Sequence, residues 1–137
     1  MAPSRTLTVL FDTNFLMVPL RFGVDVETEI KTLLEAPVRI VVPRTVIDEV
    51  TYLEESSKPS LRQEFLFAKK LAERFETLQN SLLPGESVDD SILRAAVEGG
   101  YVVATTDSQL KRKLRAAGIG VVYLRQGNRL GFDGLLP

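Results

Sequence analysis

The amino-acid sequence predicts an α/β domain in three layers, with helices on both sides of a mostly parallel central sheet of four to five strands. Short apolar runs rich in β-branched residues alternate with longer segments in which apolar residues recur every three or four positions. The 137 residues, of which 45% are hydrophobic and 26% charged, are typical of one globular domain. A single domain is therefore expected over residues 1–137.

Four nearly continuous apolar runs are the predicted strands. They span residues 6–11, 38–42, 101–105 and 121–124. Runs without strict alternation of apolar and polar residues are typical of parallel strands that helices cover on both faces. The core is expected at about residues 7–125, and the glycine-rich segment 126–137 is expected to be a C-terminal extension docked on it.

Five amphipathic helices are predicted between and after these strands. They span residues 25–34, 43–55, 60–80, 87–98 and 108–117. The third is the longest, because one apolar stripe continues from Leu61 to Leu78. Ser60 and Gln63 have the spacing of a capping box at its start. A glycine follows each of the last two helices and is expected to end it.

Several kinds of protein are excluded by the composition. The sequence has no cysteine and no histidine, which rules out a thiol nucleophile, an imidazole general base and a zinc finger. No apolar run reaches the about eighteen residues of a membrane span, and residues 1–12 do not resemble a signal peptide. We therefore expect a cytoplasmic protein that does not enter a membrane.

Charge is unevenly distributed along the chain. The net charge is −6 for residues 1–107 and +5 for residues 108–137. This separation suits an acidic metal pocket beside a phosphate-binding surface, but charge runs are more often solvated helix faces. Charge alone therefore does not decide the function.

Acidic residues follow the predicted strands where a ligand is expected. Ligands of open α/β sheets bind beyond the carboxyl ends of the strands. Asp12 directly follows the first strand, Asp107 follows the third, and Asp89 and Asp90 begin the helix that leads into the third. Each also has a structural explanation, because aspartate often starts a turn or caps a helix. Their convergence on one edge is more informative than any one of them.

Glu49 is harder to explain structurally. It lies on or beside the apolar stripe formed by Val46 and Leu53, where an ionised carboxylate is costly unless it binds something. Carboxylates gathered without cationic partners repel one another and are typical ligands of a hard divalent cation. The sequence therefore predicts an Mg²⁺ or Mn²⁺ site, and such sites commonly serve phosphodiester hydrolysis.

Four segments carry a family resemblance. In chain order, VLFDTNFL, PRTVIDEVTYL, ESVDDSILRAA and VVATTDSQLKRKL resemble the motifs of PIN-domain nucleases, over about residues 7–125. The chain is most similar to the small single-domain branch related to ribosomal-RNA processing factors, and toxin-type PIN ribonucleases are also close. The resemblance implies a PIN-like, Rossmann-like fold and a metal-dependent endoribonuclease that acts in rRNA processing or RNA turnover, or as the toxin of a toxin–antitoxin pair.

The resemblance also implies which residues form the site. The acidic positions of the family match Asp12, Glu49, Asp107 and either Asp89 or Asp90, and its accessory polar positions match Asn14 and Thr105. The spacing to the Thr105-x-Asp107 motif fits Asp89, whereas Asp90 is the acid that a small residue follows directly, as in the family. We favour Asp89 and keep both as candidates. Gln109 stands where the family often has a further acid or asparagine, which removes one potential ligand.

Each matched residue has an expected role. Asp12 and Asp107 are expected to hold metal directly, and Asp89 or Asp90 to complete its surroundings. Glu49 is expected to bind a second ion or to orient the attacking water. Asn14 and Thr105 are expected to fix carboxylates and waters as hydrogen-bond donors.

RNA is the expected substrate and partner, and single-stranded or looped RNA is favoured over duplex. The residues expected to contact its backbone are basic: Lys111, Arg112, Lys113, Arg115, Arg125 and Arg129. A homodimer is also considered, because Phe65 and Phe67 cannot both enter one core stripe. An antitoxin or a ribosome-assembly factor is the other candidate partner.

Three alternatives are weighed against this interpretation. A catalytically weak RNA-binding scaffold in ribosome assembly is disfavoured by the intact set of acids. A phosphoacceptor receiver domain requires an aspartate after the middle strand and a lysine after the last, where this chain has Pro43 and Arg125. Phosphatases of the haloacid-dehalogenase type require a second aspartate at the position of Asn14.

Overall fold

A six-stranded sheet forms the centre of the computed structural model, which describes residues 5–137. Its strands are β1 (Leu7–Phe11), β2 (Val38–Pro43), β3 (Glu76–Leu78), β4 (Val102–Ala104), β5 (Val121–Arg125) and β6 (Arg129–Asp133). They lie in the order β3-β2-β1-β4-β5-β6, and all neighbours are parallel except β5 and β6. Residues 1–4, which belong to the predicted domain and to the segment tested for a signal peptide, lie outside the described residues.

Six α-helices in the described part of the chain connect and flank these strands. They are α1 (Val18–Phe22), α2 (Val26–Leu34), α3 (Arg44–Ser56), α4 (Pro59–Glu73), α5 (Val88–Gly99) and α6 (Ser108–Ala116), and a 3₁₀ turn at Phe15–Met17 precedes α1. The Asp25 side chain caps α2 by accepting a hydrogen bond from the Thr28 amide. None of the helices within residues 5–137 is long and apolar enough to span a membrane.

The predicted fold class is confirmed, but the sheet has two more strands than the four apolar runs. Each predicted run coincides with an observed strand to within one residue at each end. The additional strands are β3 and β6, each at one edge of the sheet. The segment predicted as a C-terminal extension thus supplies β6, which pairs antiparallel with β5 and buries Leu130.

The predicted helix over residues 60–80 is wrong at both ends. Helix α4 begins at Pro59, whose fixed φ and missing N–H suit the first helical position, so Ser60 lies inside the helix rather than capping it. The helix ends at Glu73, and the chain then enters β3 alongside β2. Phe75 packs edge-to-face on Phe11, with ring centroids 5.5 Å apart. Sheet pairing and aromatic packing therefore override the helical spacing of this segment.

The register of the two central strands positions the candidate site. Phe11 at the end of β1 lies opposite Ala104 at the end of β4. Because the strands are parallel, the residues that follow them, Asp12 and Thr105, leave the sheet side by side at its carboxyl edge. Both strands are almost wholly buried, so this edge is supported by the centre of the core.

Candidate active site

Asp12 is a buried carboxylate at the carboxyl edge of the sheet, with only 4% of its surface exposed. Its Oδ1 accepts a hydrogen bond from the Phe15 amide at 2.8 Å, and its Oδ2 accepts one from the Thr105 hydroxyl. Burial raises the pKa of Asp12 to about 7; the two hydrogen bonds oppose this rise, and the charges of Asp89 and Asp107 add to it. The site therefore disfavours the ionised form unless a cation is present.

Thr105 and Asp107 connect the end of β4 to the start of α6. The Thr105 hydroxyl, which donates to Asp12, also accepts from the Asp107 amide at 3.0 Å. The Oδ1 of Asp107 caps α6 by accepting from the Gln109 amide at 2.8 Å and the Leu110 amide at 3.2 Å. Its Oδ2 accepts no hydrogen bond from residues 5–137, so Asp107 serves as a helix cap and keeps one oxygen available for a ligand.

The structure distinguishes Asp89 from Asp90. Asp89 is half-buried, and its pKa is raised first by burial and then by the charges of Asp107 and Glu49. Asp90 is exposed, and its Oδ1 lies 3.8 Å from the Lys113 ammonium nitrogen. Asp89 therefore faces the other acids, whereas Asp90 faces solvent and a lysine.

Glu49 lies in the second turn of α3 and is half-buried. Its Oε1 accepts a hydrogen bond from the Thr13 hydroxyl at 2.5 Å. Thr13 is buried, with 7% of its surface exposed, and it was not among the residues that the sequence pointed to. Its position directly after Asp12, at the end of a buried strand, was the available signal. Asn14, by contrast, is exposed, and its side chain does not cap the following turn.

We use the term carboxylate cluster for Asp12, Glu49, Asp89 and Asp107. The charges of Asp89 and Asp107 raise the pKa of Asp12, and those of Asp107 and Glu49 raise the pKa of Asp89. Within residues 5–137, no group of three or more acidic residues has the close arrangement of a formed metal centre. The donor set nevertheless fits a hard divalent cation, because it consists of carboxylate oxygens whose mutual repulsion a cation relieves.

Comparison with known proteins gives the family. The model of the family described as "PIN like domain" matches residues 9–127 of the chain. The chain belongs to the PIN-domain family. Its fold agrees with this assignment, and so does the resemblance found in its four sequence segments.

Characterised relatives of this PIN domain include nucleases. Ribonuclease VapC9 of Archaeoglobus fulgidus is 31% identical over 127 residues, which cover 93% of this chain and 90% of that protein. The structure of the PIN domain endonuclease Utp24 superposes with a TM-score of 0.77 at 26% identity, covering 94% of this chain and 92% of that one. The VapBC2 structure from Rickettsia felis, bound to a promoter DNA fragment, matches 87% of this chain and 100% of that chain with a TM-score of 0.63; at 14% identity it supports the fold alone.

Two of the basic residues of this PIN domain share one acidic partner. The Lys111 ammonium and the Arg115 guanidinium lie 3.4 Å and 3.6 Å from the carboxylate oxygens of Asp133 on β6. Lys111 also lies over the Tyr123 ring, 3.7 Å from its centroid. Because partly exposed ion pairs contribute only about 0–1 kcal/mol, these cations can exchange Asp133 for a phosphate at little cost.

The other basic residues differ in their surroundings. Lys113 reaches Asp90 at the start of α5, and the charge of Lys113 lowers the pKa of Asp89 against the stronger opposing effects. Arg125 and Arg129 are exposed and lie opposite each other where β5 turns into β6. Arg112 is exposed on α6. Lys113 thus acts on the carboxylate cluster through Asp89, and Lys111 lines a surface pocket together with Thr105 and Asp107.

Proposed function

We propose that this PIN domain is an endoribonuclease that depends on Mg²⁺ or Mn²⁺ and hydrolyses phosphodiester bonds of single-stranded or looped RNA. The observation that carries the proposal is the burial of Asp12 beside the charges of Asp89 and Asp107. A carboxylate whose pKa is raised to about 7 by burial and by neighbouring acids is stabilised in its charged form by a bound cation. The 31% identity with a ribonuclease supports the same activity.

Each residue of the carboxylate cluster has its own role. When bound, a divalent ion supplies a nucleophile from water at neutral pH and neutralises negative charge on the attacked phosphate. Asp12 and Asp107 hold the ion directly, and Asp89 completes its surroundings directly or through water. Glu49, held by Thr13, binds a second ion or orients the attacking water. Thr105 fixes Asp12 by hydrogen bonding, and Asn14 contacts waters at the rim.

The basic residues position the RNA backbone without reading sequence. They are Lys111, Arg112, Lys113, Arg115, Arg125 and Arg129. An unpaired strand suits an open edge of this kind better than a duplex does, because its bases are free to leave the stack and contact the protein.

Two cellular roles follow from the relatives. Processing of ribosomal RNA or turnover of RNA is the role that the family branch implies. The identity with ribonuclease VapC9 favours a second role, as the toxin of a toxin–antitoxin pair whose antitoxin covers the carboxylate cluster. Self-association belongs to the proposal as well, and Phe67, which is exposed while Phe65 packs on the core, is the aromatic residue of α4 open to a second copy.

Cleavage of labelled single-stranded RNA tests the function and the choice between two neighbouring acids. The wild-type chain is expected to cut RNA in Mn²⁺ or Mg²⁺ and to stop when EDTA removes the ion. Asp89→Asn is expected to slow cleavage at least about tenfold, because a residue that supports the ion is lost. Asp90→Asn is the matched control and is expected to stay within about twofold of wild type, since Asp90 is exposed and faces Lys113.

Three results of this assay would count against the proposal. Cleavage that persists in EDTA would exclude metal dependence. RNA binding without cleavage under every metal condition would favour a catalytically weak RNA-binding scaffold over a nuclease. A larger loss of cleavage rate for Asp90→Asn than for Asp89→Asn would show that Asp90, and not Asp89, supports the ion.

A further inference from the structure

A pocket of about 640 Å³ adjoins the carboxylate cluster. One wall is a face of α3 on which Arg44, Asp48 and Tyr52 recur every four residues. The other wall comes from the segment between β3 and α5, where Asn80 and Leu82 lie. Its volume is in the range of pockets that bind small molecules and cofactors.

The pocket and the carboxylate cluster share Glu49, which lines the pocket and accepts a hydrogen bond from Thr13 beside Asp12. A ligand in this pocket is therefore next to the place where the scissile phosphodiester is expected. A polynucleotide can occupy both places at once, because each of its phosphates is linked through a sugar to a neighbouring base.

The walls of the pocket combine flat apolar surface with oriented polar groups. Tyr52 and Leu82 have 68% and 48% of their surfaces exposed, and both line the pocket. Exposed aromatic rings are platforms on which unpaired bases stack.

Asn80 supplies a polar group of fixed orientation. Its Oδ1 accepts from the Thr45 amide at 3.2 Å, which determines which end of the side-chain amide is oxygen. Its Nδ2 donates one N–H to the Thr45 hydroxyl at 3.2 Å, and its second N–H has no acceptor among residues 5–137. A nucleobase has the complementary features, because its two faces are apolar and its edge carries hydrogen-bonding groups.

We propose that this pocket, which we call the α3 pocket, binds one unstacked nucleobase of single-stranded RNA next to the scissile phosphodiester. Tyr52 stacks on the base, the free N–H of Asn80 contacts an acceptor on its edge, and Arg44 at the rim contacts a flanking phosphate. The proposal rests on the proposed ribonuclease function and deepens it by identifying where the substrate strand is held. The adjoining phosphodiester site favours a nucleobase over the other candidate, an apolar segment of a partner protein.

The test is the affinity of the full chain for a labelled single-stranded RNA of about eight nucleotides, measured in EDTA so that the strand stays intact. Tyr52→Ala is expected to weaken binding about tenfold, because stacking on one base is lost. Tyr52→Phe keeps the ring and is expected to stay within about twofold of wild type. Phe22→Ala removes an exposed aromatic residue from α1, outside the α3 pocket, and is expected to have no effect.

A strand of the same length with abasic sugars identifies the lost contact. Wild type and Tyr52→Ala are expected to bind it equally, since no base is present to stack. Equal affinity of wild type and Tyr52→Ala for ordinary RNA, with RNA cleavage intact, would overturn the nucleobase assignment alone and leave the pocket to a partner protein. A chain that neither binds nor cuts RNA would overturn this assignment together with the proposed function.

Discussion

Replacing Asp12 by asparagine is expected to abolish RNA cleavage while the fold is retained. The asparagine oxygen can still accept from the Phe15 amide, but the charge that binds a cation is gone. An ion that stabilises the transition state contributes several kcal/mol, so its loss should lower the cleavage rate by about a hundredfold or more. The rate is measured on single-stranded RNA in Mn²⁺, with circular dichroism to confirm the fold.

Asp90→Asn is the matched control for this variant, because it removes an aspartate of the same region that is exposed and lies outside the carboxylate cluster. Its rate is expected to match that of wild type. An Asp12→Asn variant that cuts within about tenfold of the wild-type rate would show that Asp12 does not hold the catalytic ion.

The same substitution is expected to stabilise the metal-free protein, and the gain should grow with pH. The pKa of Asp12 is about 7 in the folded protein and 3.8 in its unperturbed state. Between these values the unfolded chain releases the proton while the folded chain retains it, so wild-type stability falls as pH rises from about 4 to about 7. Asparagine does not titrate, so the stability of Asp12→Asn does not fall in this way as pH rises.

The expected gain in the free energy of unfolding is about 4 kcal/mol at pH 8, because each unit of pKa shift corresponds to about 1.4 kcal/mol. At pH 4 the gain should be close to zero. Urea unfolding of wild type and Asp12→Asn in EDTA, at pH 4, 6 and 8, measures the difference. A difference that stays constant across this range would contradict a buried, protonated Asp12.

The fold could be predicted from the sequence wherever the local pattern of apolar residues agreed with the tertiary contacts. The central strands are nearly continuous apolar runs, and a helix-covered parallel sheet requires such runs. The boundary between α4 and β3 was not predictable, because Phe75 and Leu78 continue the helical spacing and only pairing with β2 selects the strand. The edge strand β6 could not be predicted for a similar reason, since Gly131 within it and Gly127 and Gly134 beside it indicate a loop, and only pairing with β5 selects a strand.

The site was predictable in its position more than in its details. Acidic residues directly after strands indicate an edge of the sheet, and the parallel register brings Asp12 and Thr105 together there. The orientation of side chains on α5 could not be read from adjacent residues, and it is this orientation that separates Asp89 from Asp90. The sequence did not indicate Thr13, because its contact with Glu49 joins residues 36 positions apart.

The central claim is that the carboxylate cluster binds a divalent metal ion, and thermal melting tests it without knowledge of the natural RNA. Wild type and Asp12→Asn are each melted in EDTA and in millimolar Mn²⁺. An ion at about ten times its dissociation constant adds about 1.4 kcal/mol to the stability of the folded state, which corresponds to a rise of several degrees in Tm for a domain of this size. The account predicts this rise for wild type and none for Asp12→Asn. No rise in wild type, or an equal rise in both proteins, would contradict it.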